Sequence, residues 1–100
     1  MPDFQTPPAK RRHLQCLART MSGNSGATQG ARLLEALRYG PLTTNEARRF
    51  LDVFDPAARV RDLRHKHGHE IETHWQHSVT EQGVAHRVGL YVLTTKGVAQ

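Results

Sequence analysis

The chain has 100 residues, 37% of them hydrophobic, and it carries a formal net charge of +5 with a pI near 10.1. That length supports one domain with a modest core, and no apolar run approaches the ~20 residues that a membrane span needs. The start of the chain has no apolar stretch behind its basic residues, which excludes a secretory signal, and the basic balance favours a polyanionic partner such as nucleic acid or an acidic membrane.

The positive charge is concentrated in the first two thirds of the chain. Residues 69–100 carry only Arg87 and Lys96 against Glu70, Glu72 and Glu81. The only cysteine of the sequence, Cys16, excludes an internal disulfide and fits a reducing cytoplasm. We therefore expect a cytoplasmic protein whose basic surface lies outside its C-terminal third.

Residues 1–27 are predicted to form a flexible or partly helical basic arm. Three prolines lie in residues 1–8, whereas AKRRHLQCLARTM, residues 9–21, repeats apolar side chains at helical spacing. A short amphipathic helix is expected there, followed by a flexible linker at SGNSGA, residues 22–27. The apolar face of this helix comprises Leu14, Leu17 and Met21.

Three roles are open for this arm. Lys10, Arg11 and Arg12, near the start of the helix, can lie along the backbone or in the minor groove of DNA. The apolar face can instead join a homodimer or another protein through residues 9–21. A tail without a role is the third reading.

A folded domain is predicted over residues 28–97, beginning with a helix capped by Thr28. This helix, QGARLLEALRYG, is stopped by Gly40 and Pro41, and Leu42 then forms a very short strand or an apolar anchor. Its buried face is expected to contain Ala31, Leu33, Leu34, Leu37 and Arg38.

Two further helices follow, each with its own start signal. Thr43 and Glu46 form a capping box for a helix over about Thr44–Leu51, in which each side chain satisfies a free backbone N–H. Asp55 caps the next helix, and Pro56 occupies its first position, where the missing N–H costs nothing. The first of these helices is expected to bury Ala47, Phe50 and Leu51 and to expose Arg48 and Arg49.

The helix over residues 56–67 has a small buried stripe and a basic polar face. At about 100° per residue, the stripe contains Ala57, Val60, Leu63 and His67. Arg64 lies beside the stripe, so its stem should pack while its head group reaches solvent. The polar face consists of Ala58, Arg59, Arg61, Asp62, His65 and Lys66.

After Gly68 the apolar period changes to two. HEIETHW alternates Ile71, Thr73 and Trp75 with polar residues and predicts a half-buried strand, and RVGLYVLT predicts its partner. QHSVTEQGVA between them is typical of a flexible hairpin connection, and the tail TKGVAQ should fray.

Two short helices that meet at a sharp turn, the second one basic, have the sequence form of a helix-turn-helix. With the surrounding elements, the segments TQGARLLEALRYGPLTTNEARRFLDV, ARVRDLR, GHEIETHW and RVGLYVL resemble the winged helix-turn-helix fold, and in particular a short family common in bacteriophages and prophages. The resemblance covers roughly residues 28–95. It implies an α+β fold, a three-helix core followed by a β-hairpin wing, and binding of double-stranded DNA in phage gene control or genome handling, inside a bacterial host cell.

On this reading the helix over residues 56–67 lies in the major groove, where arginine reads guanine and lysine mostly contacts phosphate. Asp62 would accept a hydrogen bond from cytosine or orient Arg59, and Ala58 would meet a thymine methyl. The alternative interpretation of this face is a solvated charged surface. The expected DNA-binding residues are Ala58, Arg59, Arg61, Asp62, His65 and Lys66 on this helix, Arg48 and Arg49 on the preceding one, and Lys10, Arg11 and Arg12 in the arm.

The hairpin offers little positive charge. Its connection holds Glu81, with only His86 and Arg87 as candidate cations, which argues against a binding mode centred on the wing. The seven histidines lack accompanying cysteines or a tight carboxylate set, so no metal site is predicted. Their protonation near pH 6 would instead tighten DNA binding, because it adds positive charge.

No arrangement typical of an active site occurs in the sequence, so we expect neither an enzyme nor a cofactor. The leading hypothesis is a phage-type transcriptional regulator or an excision or recombination accessory factor. The alternative is a winged-helix protein–protein interaction module in a phage assembly or host-takeover complex.

Overall fold

The computed structural model describes residues 6–79 and 82–94. Within these ranges the chain forms four helices and a three-stranded antiparallel sheet, which confirms the predicted α+β class. Glu81 of the predicted connection and the tail after Thr94 lie outside the described residues. In chain order the elements are α1 (Pro8–Thr20), α2 (Gly26–Tyr39), β1 (Leu42–Thr43), α3 (Thr44–Arg49), α4 (Pro56–His65), β2 (Ile71–Val79) and β3 (Ala85–Leu93).

The predicted N-terminal helix is confirmed as α1, and it packs on the rest of the domain. Leu14 is fully buried in the same core as Leu33 and Leu42, and Leu17 packs against that core. The apolar face of α1 therefore packs on the chain's own core, with Leu14 fully buried and Leu17 partly buried.

Helix α2 begins earlier than predicted and buries a different face. Ser25 is the N-cap, because its hydroxyl oxygen accepts from the backbone N–H of Thr28 at 3.0 Å. The predicted cap at Thr28 is wrong, and the predicted boundary between residues 27 and 28 falls inside the helix. Ala31 and Arg38 are exposed, also contrary to prediction. The residues of α2 that are buried are Gln29, Gly30, Arg32, Leu33, Ala36 and Leu37.

The predicted start signals of α3 and α4 are confirmed. Both halves of the Thr43–Glu46 capping box are formed, with N···O distances of 3.0 Å in each direction. The carboxylate of Asp55 accepts from the backbone N–H of Ala58 at 3.3 Å, and Pro56 follows as the first helical residue. Since caps are satisfied by neighbours in the sequence, they were readable without the tertiary structure.

Strand β3 is the centre of the sheet, with β1 on one side and β2 on the other. The predicted strand at Leu42 is confirmed, and Leu42 lies opposite Tyr91. The hairpin of β2 and β3 is longer than predicted, because pairing continues out to Val79 opposite Ala85. Residues 76–79 and 85 of the predicted connection therefore belong to the strands.

The core lies where α1, α2, α3 and α4 meet the base of the hairpin. Ile71 and Tyr91 are buried there, but Trp75, which the alternating pattern placed on the same face, is 58% exposed. The hairpin extends past the helices, so the same face is buried at its base and open towards its tip. Among the described residues, no helix is long and apolar enough to cross a membrane.

Candidate nucleic-acid interface

The turn between α3 and α4 is held from behind by Arg32 of α2. This guanidinium is 1% exposed and has backbone carbonyls, not a carboxylate, as its hydrogen-bond acceptors. Nε donates to Leu51 at 2.8 Å and Nη2 donates to Asp52 at 2.7 Å, where the backbone adopts a positive φ of 59°. Nη1 donates to Met21 at 2.7 Å and to Gly23 at 3.2 Å.

Gln29, one turn earlier on α2, supports the same region. Its Nε2 donates to the carbonyl of Asn24 at 2.8 Å, and its Oε1 accepts from the backbone N–H of Phe54 at 3.1 Å. Together with Arg32, this side chain joins the segment after α1 to the turn before α4. Sequence reasoning missed both residues; the available signal was that they share a helical face with Ala36.

The other end of α4 is joined to the hairpin by Arg64. Its guanidinium donates to the carbonyl of Ile71 at 2.9 and 2.6 Å and to the hydroxyl of Thr73 at 2.8 Å. The prediction that this head group reaches solvent is wrong, because strand β2 passes within hydrogen-bonding distance. Arg64 therefore fixes α4 relative to the wing, which we define as the hairpin of β2 and β3.

The exposed face of α4 differs in part from the predicted one. Arg61, His65 and Lys66 are exposed, as predicted. Ala58 is only 8% exposed, so its predicted place on the outer face is wrong. Ala57 and His67, predicted to be buried, are exposed, since the packing against α2 and α3 rotates the buried stripe towards Pro56, Val60 and Leu63.

Arg59 and Asp62 lie towards α2 and not on the exposed face. Arg59 Nη2 is 3.3 Å from Asp62 Oδ2, and their side chains are 22% and 30% exposed. An added Cβ at Gly26 would lie 3.0 Å from Arg59 Nη1, which places the guanidinium beside the start of α2. The ion pair between the two residues agrees with the predicted orienting role of Asp62, but not with a position on the outer surface.

The predicted basic residues of α3 and of the arm have different environments. Arg48 and Arg49 are exposed on α3, and the Arg49 guanidinium lies 5.1 Å from the centre of the Phe50 ring. Arg11 and Arg12 are exposed on α1. Lys10 is less available to a polyanion than Arg11 and Arg12, because its ammonium group already has partners within the domain. It contacts Glu46 Oε1 at 3.0 Å and donates to the carbonyl of Pro41 at 2.6 Å.

Glu46 links α1 to the start of α3. Burial opposes its ionisation, but hydrogen bonds from the Thr43 N–H, the Thr6 hydroxyl and the Lys10 ammonium, together with the charge of Lys10, lower the pKa of Glu46 below its ordinary value. The carboxylate is therefore charged at neutral pH and neutralises Lys10. This ion pair removes Lys10 from the charge that the surface presents to a polyanion.

The wing carries one ordered cation. The Arg87 guanidinium lies 4.5 Å from the centre of the exposed Trp75 ring, within the range of a cation–π interaction. Gly89 lies opposite Trp75 in the sheet, and an added Cβ there would be 3.8 Å from the indole. The Trp75 ring therefore lies next to Gly89 across the strand pair. In the part of the chain that the structure describes, no three metal-ligating side chains are grouped.

A family model described as "Winged helix-turn-helix domain" matches residues 28–96. The match begins inside α2, runs through β3 and leaves α1 outside. Searches of curated proteins and of solved structures give no match. Within the matched residues, α3 and α4 are two short helices joined by a turn. A domain of this type indicates DNA binding.

Proposed function

Because the chain belongs to the winged helix-turn-helix domain family, we propose that it binds double-stranded DNA with α4 in the major groove, as a transcriptional regulator or an excision or recombination accessory factor of phage type. The protein acts without an enzymatic step or a cofactor, in the cytoplasm of a bacterial host cell. The observation that carries the proposal is the exposed basic face of α4, held at one end by Arg32 and at the other by Arg64.

The proposed contacts divide into base reading and phosphate binding. Arg61 and His65 are exposed on the outer side of α4 and are the proposed reading residues, with Lys66 contacting phosphate. Arg48 and Arg49 on α3 and Arg11 and Arg12 on α1 are further proposed phosphate contacts. Lys10, Ala58, Arg59 and Asp62 are left out of the set, since they are paired or buried within the domain.

The wing enters the proposal through Arg87. A guanidinium held over an indole is restricted in position, so Arg87 loses less conformational freedom when it meets a phosphate. A single cation of this kind strengthens DNA binding but does not make the wing the main contact surface.

Fluorescence anisotropy of a labelled mixed-sequence duplex tests the proposal. Affinity should fall steeply between about 50 mM and about 200 mM salt, because each neutralised phosphate releases counterions. On a duplex selected for affinity from a random pool, Arg61→Ala should weaken binding by about 1–3 kcal/mol. On the mixed-sequence duplex, Lys66→Ala should lower the salt slope by about one unit. Arg38→Ala, which removes an exposed arginine paired with Glu35 on α2, is the matched control.

The outcome that contradicts DNA binding is an absence of binding at low salt by a folded protein. If the duplex binds but both variants bind like the parent, α4 is not the reading element. If the folded protein does not bind at low salt, the alternative function gains support. That alternative is a winged-helix protein–protein interaction module in a phage complex. Phe54 favours that alternative, because it is 88% exposed between Val53 and the acidic Asp55, which is a poor surface for DNA.

A further inference from the structure

A groove of about 480 Å³ lies between α2 and α4, on the side of α4 that carries Arg59 and Asp62. Helical residues three and four apart share a face, so the α2 side of the groove extends over about two turns. Its lining lacks Arg61 and His65, the proposed reading residues, but includes Lys66, a proposed phosphate contact. The α2 side is formed by Gly26, Ala27, Gly30, Ala31 and Leu34.

The side chains of α2 do not fill this groove. A Cβ added at Gly30 would meet no atom within 4 Å. Ala31 is exposed, and Leu34 is half-buried at the far end. With such small side chains, the backbone of a second helix can approach α2 closely and bury apolar side chains against it.

The rim of the groove is positively charged. Asp62 is shared between two cations, with Arg59 Nη2 at 3.3 Å and Lys66 Nζ at 3.8 Å. One carboxylate therefore faces two cationic groups, and His67 and His69 line the same groove. Arg59 Nε is buried and has no hydrogen-bond partner among the described residues. A buried donor left in this state favours an acceptor supplied from outside the chain.

We propose that this groove docks an acidic amphipathic helix of a partner protein. The apolar side of that helix lies on Gly30, Ala31 and Leu34, and its carboxylates meet Arg59 and Lys66. Charge complementarity selects this occupant, since a basic helix would be repelled by the same rim. A second copy of this chain, which itself carries +5, fits the rim less well.

Selection from a peptide library tests the proposal on the full chain. The library consists of amphipathic helical peptides of about 16 residues, enough for about four turns, in which each polar position is Glu or Lys. We expect enriched peptides to carry Glu at these positions. Titration of the ¹⁵N-labelled protein with an enriched peptide should shift the backbone amides of Gly26, Gly30 and Ala31 in a saturable way.

Ala31→Trp, which fills the groove from its α2 side, should lower the affinity for the enriched peptide at least tenfold. Ala9→Trp places the same side chain at an exposed position of α1 and should leave peptide affinity unchanged. Both variants should unfold like the parent in urea and bind duplex DNA like the parent, so that the groove is tested independently of DNA binding.

The proposal is overturned by no enrichment, by enrichment without an excess of Glu, or by equal binding to Ala31→Trp and Ala9→Trp. Shifts of the groove amides that depend on protein concentration in the absence of peptide indicate a second copy as the occupant, which also overturns it.

Discussion

Arg32 shows how much one side chain contributes to the position of α4. Its guanidinium satisfies the carbonyls of Leu51 and Asp52 in the turn before α4 and those of Met21 and Gly23 after α1. A buried carbonyl without a donor costs about 1–3 kcal/mol. Loss of Arg32 would therefore affect the turn and the packing of α1 together.

Arg32→Met, which keeps a long apolar stem and removes the donors, should lower the free energy of unfolding by about 2–4 kcal/mol, since several buried acceptors lose their partner at once. Urea denaturation measures the change. Arg38→Met, on the exposed side of α2, should change stability by less than about 0.5 kcal/mol. Equal stability of Arg32→Met and the parent would show that water replaces the guanidinium at these carbonyls.

Glu46 makes part of the stability dependent on pH. Its folded-state pKa is lowered from the ordinary value of 4.5 by the Thr43, Thr6 and Lys10 contacts, which outweigh the effect of burial. A lowered pKa means that the unfolded chain takes up the proton first as the pH falls. The stabilising contribution is thus complete above pH 4.5 and is lost as the pH falls below that value, through the lowered pKa.

Glu46→Gln should therefore be less stable than the parent at neutral pH, and this difference should shrink as the pH falls below 4.5. Urea denaturation of both proteins over a pH series provides the measurement. Glu35→Gln, at an exposed position of α2, is the control and should follow the parent. A difference between Glu46→Gln and the parent that stays constant with pH contradicts the proposed role of the charge.

At the scale of elements, α1 completes the core although the family match begins at residue 28. Leu14 is fully buried, and the Lys10–Glu46 ion pair attaches the start of α1 to α3. His13 and Tyr39 also stack, with ring centres 4.3 Å apart, between α1 and the end of α2. We propose that α1 folds with the winged helix and is not a separate arm.

Leu14→Ala should destabilise the whole domain by about 2–5 kcal/mol, because it removes buried methyl groups and leaves a cavity. Thermal unfolding followed by fluorescence of Trp75, which lies on the wing far along the chain from α1, reports on the rest of the domain. Gln15→Ala, exposed on the same helix, is the matched control. An unchanged unfolding temperature for Leu14→Ala would mean that α1 detaches without cost to the domain.

At the scale of the whole molecule, the net charge overstates the cations available to DNA. Of the basic residues, Arg32 and Arg64 donate to backbone carbonyls, and Lys10 and Arg59 are paired with acids. The exposed Lys66 also lies 3.8 Å from Asp62. The exposed cations whose contact with DNA remains to be tested lie on α1, α3, α4 and the wing.

The sequence by itself determined the features that depend on neighbours along the chain. The caps at Thr43 and Asp55, the stop at Gly40 and the change of period after Gly68 each involve residues within a few positions of one another. The order of elements, and with it the winged helix-turn-helix class, follows from these local signals. Arg61 and His65 could likewise be placed on an exposed face from periodicity alone.

Only the tertiary structure decided which polar side chains already have hydrogen-bond or ion-pair partners within the fold. Arg32, Arg64 and Lys10 contact atoms between seven and 36 positions away along the chain, and no periodicity reports such contacts. The rotation of α4 against α2, which buries Ala58 and turns Arg59 and Asp62 towards the groove, is set by packing between elements and not by either helix alone. A basic residue read from sequence is thus a candidate for DNA, and its partners within the fold decide whether its charge is free to act.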